Sequence, residues 1–181
     1  LSGKFSLTNK DHHYDEISQL AKLVLSNSST AVIVKPQFVT NATKNLYHKD
    51  PLIKKAFDTG RLFDLCRGQD RRNRLYPAET ALICDICVGN LLGGTASLEV
   101  AVIGNRSAMI NPYNVDAPWI NLLSDQNIIF GDLSSFLQEI KNMNMDNLLK
   151  TDIGDWSSVI KNFDPFDDEF SFKRIQEAIL K

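Results

Sequence analysis

The sequence predicts an α/β fold: a Rossmann-like three-layer sandwich with a mostly parallel sheet and a helical C-terminal tail. Short apolar runs of strand length are separated by helical patterns of about ten to fifteen residues, with no hairpin dipeptide between them, which argues for βαβ units. Polar or glycine-rich segments repeatedly follow the strand ends, where open parallel sheets hold their ligands. At 181 residues, 43% of them hydrophobic, the chain can bury one full core. One domain over 1–181 is therefore the economical expectation, with 146–181 as a helical tail packing on it.

Taken in order, 11–26 carries Ile17, Leu20, Ala21, Val24 and Leu25 on one helical stripe, with Asp11 placed to cap it. Residues 26–29 form a turn, and Ala31-Val32-Ile33-Val34 reads as a strand buried on both faces of a parallel sheet. Asp50-Pro51 opens a helix through Phe57 that Gly60 ends, and 61–65 is the next strand. A polar loop over 66–76 holds Arg67, Arg71, Arg72 and Arg74. Pro77 starts a helix over 77–84, and Ile86-Cys87-Val88 is a strand. A glycine turn, a short helix ended by Gly104 and a strand over 107–110 follow. Asn111-Pro112-Tyr113-Asn114 is a loop, 119–123 a helical turn, 127–130 a strand, and 133–141 a helix capped by Asp132. Two helices, 156–163 and 170–180, close the chain around a turn at 164–168.

Bulk properties remove several function classes. A net charge of -2 gives no global attraction to nucleic acid, and neither a zinc finger nor an aromatic-rich RNA-binding strand is present in the sequence. The apolar stretches are too short for a transmembrane helix, and the first residues lack the order of a signal peptide. The chain begins at Leu1 rather than Met, so the expectation is a segment cut from a longer protein. Cys66, Cys84 and Cys87 are too few for a disulfide scaffold and point to a reducing compartment. Cys84-Asp85-Ile86-Cys87 could be a redox pair or half a zinc site. Its flanks, Ala81-Leu82-Ile83 and Val88, look like core, so the preferred role is two small buried thiols at a helix-to-strand junction.

The motif with chemical content is Val88-Gly89-Asn90-Leu91-Leu92-Gly93-Gly94-Thr95-Ala96-Ser97-Leu98-Glu99. Gly93 and Gly94 have no Cβ, so the chain can approach a ligand closely and can take positive φ. Thr95, Ala96 and Ser97 then bring first-turn N–H groups, with hydroxyls on Thr95 and Ser97, to an anion at the positive end of a helix dipole. Glu99 lies one turn further on, within reach of the two hydroxyls of a ribose. The dinucleotide and P-loop fingerprints are both absent, because the glycine spacing is wrong and no lysine occupies the required place. Lys35 follows a strand end, where it either pairs with a phosphate or solubilises the surface. The arginine loop is an ordinary solvated charge run or, with Arg67 foremost, a grip on phosphate or acceptor. With the Asn111 loop, these segments are expected to collect on one rim. His12, His13 and His48 have no metal spacing, and no catalytic base can be named.

The blocks Val34-Lys35-Pro36, Asp85 to Gly89, Gly93 to Ala101 and Gly104-Asn105-Arg106-Ser107 resemble the C-terminal, donor-binding domain of GT-B-fold glycosyltransferases. They are most similar to the bacterial surface-polysaccharide group, with teichoic-acid glycerophosphotransferases as more distant relatives. The tail from Gly154-Asp155-Trp156 to Asp164-Pro165-Phe166-Asp167 and Arg174-Ile175 is similar too, so the resemblance spans roughly 31–181. It implies a nucleotide-sugar donor as substrate with no cofactor and no metal. It also implies donor-phosphate contacts from the turn, a ribose contact from Glu99 and a weaker phosphate role for Lys35. Gln37 stands where many relatives have histidine.

By the same resemblance the partner is an N-terminal domain of the same protein, without which this segment is inactive. The location implied is the cytoplasm, at the inner face of the membrane, with peripheral association through the parent protein. The alternative is a non-catalytic Rossmann-like module that binds a ligand or a protein through the same rim.

Overall fold

The computed structural model of the chain describes residues 10–36, 42–65, 75–123, 126–141, 143–166 and 170–179. In chain order the elements are α1 (Lys10–Ser26), β1 (Val32–Val34), α2 (Ala42–Lys49), α3 (Pro51–Asp58), β2 (Leu62–Asp64) and α4 (Pro77–Ala81). Next come β3 (Cys87–Asn90), a 3-10 turn (Leu91–Gly93), α5 (Thr95–Val102), β4 (Ser107–Ile110), α6 (Pro118–Asn121) and β5 (Ile129–Phe130). The chain closes with α7 (Leu133–Ile140), α8 (Met145–Leu148), a second 3-10 turn (Ile160–Asn162) and α9 (Ser171–Ile179). The fold is α/β, and every strand pair among the described residues is parallel. The chain splits into two compact units, Leu1–Tyr76 with Leu133–Met143, and Pro77–Asp132 with Asn144–Lys181.

In the first unit, Ile17, Ala21 and Val24 of α1 pack with Ile53, Ala56 and Phe57 of α3 and with Leu62 of β2. Full burial of such aliphatic side chains contributes roughly 1.5–3 kcal/mol each. Asp50 caps α3, its Oδ1 accepting from the amides of Leu52 at 2.7 Å and Ile53 at 3.3 Å, and Pro51 opens the helix where its missing N–H costs nothing. Gly60 follows with φ +71°, as a helix terminator should. Arg61 then donates from one guanidinium nitrogen to the carbonyls of Val24 at 2.7 Å, Asn27 at 2.7 Å and Thr30 at 2.9 Å. That single side chain satisfies the end of α1 and the turn leading into β1.

The run 31–34 does not fill a strand buried on both faces. Residues of β1 are half-buried, because β1 pairs only with β2 in a two-stranded sheet among the described residues. Helix α2 has no counterpart in the sequence pattern, since Leu46 and Tyr47 make no repeating stripe. Tyr47 docks edge-on to Phe57, ring centres 5.9 Å apart.

The second unit is built on the order β3-β4-β5, with Cys87 opposite Ser107 and Met109 opposite Ile129. Here β4 is the strand buried throughout. Gly154 reaches the sheet from the tail: its carbonyl accepts from Ser107 N–H at 2.9 Å, and its N–H donates to Asn127 O at 2.8 Å. Trp156 donates its indole N–H to Ser107 O at 2.7 Å and packs with Leu91, Met109 and Val159. Gly154 and Trp156 thus join this part of the tail to β4.

Two helix lengths differ from the sequence pattern. The helix predicted over 156–163 is a set of turns ending in the 3-10 turn Ile160–Asn162. Burial of Trp156 and Val159 has a spacing that such turns satisfy as well as an α-helix. Helix α4 ends at Ala81, not Cys84, where Asn105 Nδ2 donates to Ala81 O at 2.6 Å. The chain then turns outward, leaving Leu82 and Ile83 71% and 75% exposed, so this apolar run is surface and not core.

Candidate anion-binding site

The glycine motif folds in the predicted order of strand, turn, helix, Gly104 and strand. Asn90, the last residue of β3, accepts from Leu92 N–H through Oδ1 at 3.0 Å and so caps the 3-10 turn. Gly93 closes that turn, and Gly94 continues it with φ -56° and ψ -18°, a right-handed helical conformation. Gly94 is thus not needed for positive φ. It is needed for space, because a Cβ there would lie 3.0 Å from Leu91 O and 3.6 Å from Met109 Cε.

The first i to i+4 bond of α5 joins Leu98 N–H to Gly94 O at 3.0 Å. Helix geometry leaves the N–H groups of Thr95, Ala96 and Ser97 without partners inside α5, at its positive end. Thr95 and Glu99 are both exposed, one turn apart. Together with Ala78, Leu98, Val102 and Ile103 they line an open groove of about 420 Å³. The surface that these residues present to the groove is apolar.

Ser97 faces the other way. It is 3% exposed, and its Oγ donates to Ala108 O at 3.3 Å in β4. Its hydroxyl is committed to the sheet, leaving only its backbone N–H for an anion. The same packing gives Gly89 a role that the sequence analysis did not assign, because a Cβ on Gly89 would stand 2.7 Å from Ser97 Oγ. Burial of Val100 and Ala101 was the available signal, since Ser97 lies three and four residues before them on the same face.

Asn111 follows β4 beside the glycine turn that follows β3, so these two segments share one sheet end. Asn111 holds its own loop, accepting from Val115 N–H at 2.8 Å and donating to Val115 O at 3.0 Å. Lys35 follows β1, in the other unit, and is half-buried. Arg67, the rest of the arginine loop and Gln37 lie outside the described residues. Among the described residues no group of three or more His, Cys, Asp or Glu is placed to hold a metal ion, and no helix is long and apolar enough to cross a membrane.

Fold and site together define an α/β protein with parallel strands whose candidate binding face is the first half of α5. No family model matches the chain, and no curated protein or solved structure matches it.

Proposed function

We propose that this chain is the nucleotide-sugar-binding part of a glycosyltransferase acting in surface polysaccharide biosynthesis. The observation that carries the reading is the exposed pair Thr95 and Glu99 on the rim of one groove, at the start of the helix that follows the glycine turn. The turn and the first N–H groups of α5 receive the donor's phosphates, Glu99 accepts from ribose hydroxyls, and the floor of Leu98, Val102 and Ile103 meets the apolar remainder. The resemblance of the same residues to the donor domain of GT-B glycosyltransferases supports the assignment of reaction class. Catalysis belongs to a complete protein in which an N-terminal domain closes over this one, and the location proposed is the cytoplasmic face of a membrane.

Calorimetry with UDP, CMP, GDP and their sugars tests this directly. Binding of at least one is expected, and binding of none, in a longer parent protein as well as in this chain, sinks the proposal. A non-catalytic ligand- or protein-binding module is favoured by a separate observation, the exposure of Leu82, Ile83, Val102 and Ile103. Under that reading Glu99→Ala leaves the parent protein's function intact.

A further inference from the structure

The turn that joins α1 to β1 gathers several donors around one asparagine. Asn27 Oδ1 accepts from the Ser29 N–H at 3.0 Å and from the Ser29 hydroxyl at 2.7 Å, an Asx-turn on the exposed side of the first unit. The main-chain carbonyl of Asn27 accepts from Arg61 at 2.7 Å and from the Thr30 N–H at 3.3 Å. Ser28, between them, is exposed, and its N–H donates to no group among the described residues. Asn27 Nδ2 has one long bond, to Lys141 O at 3.4 Å.

Other asparagines are placed differently. After Asn114, Asn121, Asn127, Asn147 and Asn162 the next N–H is already donated within the fold. Asn105 is followed by the long side chain of Arg106, and its own amide donates to Ala81 O at 2.6 Å.

We propose that Asn27 is a deamidation site built into this turn, where the Ser28 nitrogen closes on the Asn27 side-chain amide and ammonia leaves. The surrounding groups favour each step. The Arg61 guanidinium lies on the carbonyl conjugated with Ser28 N, and a cation so placed favours loss of that N–H proton to hydroxide. The nitrogen's electron pair forms a bond to Asn27 Cγ, and the charge moves onto Oδ1, which faces the Ser29 N–H and hydroxyl. As the carbonyl re-forms, the Cγ–Nδ2 bond breaks and Nδ2 takes a proton from water to leave as ammonia. Water then opens the five-membered imide at either carbonyl, giving aspartate or isoaspartate. Overall one water is consumed and one ammonia released. The isoaspartyl form turns the carbonyl that Arg61 and Thr30 hold into a free carboxylate and runs the main chain through the former side chain.

The test incubates the full chain at mildly alkaline pH, native and in parallel in guanidinium chloride, and reads its peptides by mass and chromatography. The peptide holding Asn27 is expected to exchange amide for acid, to split into aspartyl and isoaspartyl forms, and to do so faster in the native chain than in the unfolded one. Ser29→Ala should slow the native conversion by about tenfold while leaving the unfolded rate unchanged. An Asn27 that keeps its amide, or converts more slowly native than unfolded, overturns the proposal. So does an equal native rate in the parent and Ser29→Ala.

Discussion

The ends of β1 and β3 make a useful comparison, because both lead to residues expected to meet phosphate. After β1 the chain offers Lys35, one half-buried side chain ahead of Pro36. After β3 it offers a capped turn, two glycines and a helix start, locked to β4 through Ser97 and to Met109 through Gly94. A lysine's contribution to anion binding rests on its charge and is screened by salt. A backbone site rests on packing, so what disturbs it is an added Cβ and not a lost charge. The two ends should therefore respond to different substitutions.

The largest effect is expected at Gly154, which supports the β3-β4-β5 side from below. Alanine there must adopt φ +63° and place Cβ 3.0 Å from Ser107 N and 3.2 Å from Ser107 C, which are backbone atoms and cannot move aside cheaply. Left-handed strain and overpacking together should cost on the order of 3 kcal/mol, visible as a lower urea midpoint. An unchanged midpoint contradicts the packing of the tail on β4.

Next comes Gly89→Ala, whose Cβ meets the Ser97 hydroxyl, with an expected loss of about 1–3 kcal/mol. Removing that hydroxyl with Ser97→Ala should relieve part of the loss, so a double-mutant cycle should show coupling of about 1 kcal/mol. Additive effects would mean that β3 and α5 do not pack as described.

Smaller again is the acid dependence at Asp155. Its carboxylate accepts from Ser157 N–H at 2.9 Å, and this bond, with Arg106 3.7 Å away as a lesser influence, holds it below its ordinary value of 3.8. The folded state therefore releases this proton at lower pH than the unfolded state. The stabilisation is fully present above the unfolded value and is lost as pH falls through the folded one. Asp155→Asn should flatten that acid limb in pH-dependent unfolding, and an unchanged limb removes Asp155 from it. Lys35→Ala should have the least effect, weakening nucleotide affinity by less than about threefold and only at low salt.

Much of the β3 side was legible in the sequence because its boundaries are set locally. The glycines, Pro77 and Gly104 punctuate the chain, and Gly104 does take φ +83°. Asn90 as a cap and Gly89 as a spacer were present in the same motif but unassigned, since their partners lie across the strand-helix contact. Leu82 and Ile83 show the limit most plainly. Apolar composition suggested core, yet whether a short run is covered depends on elements far along the chain, and here the helix ends before it. Residues 42–49 fold as a helix with only Leu46 and Tyr47 to bury, too few for a periodic stripe. The division of the described strands into two parallel sheets depends on which strands pair, a long-range property that strand patterns do not encode.

Calorimetric titration of the parent and the Glu99→Ala variant with UDP, CMP and GDP bears most directly on the α5 groove. Glu99 is exposed, so stability should stay within about 0.5 kcal/mol of the parent while affinity for the preferred nucleotide falls by about tenfold. If the variant binds every nucleotide as tightly as the parent, Glu99 does not hold a ribose and the groove is not the nucleotide site.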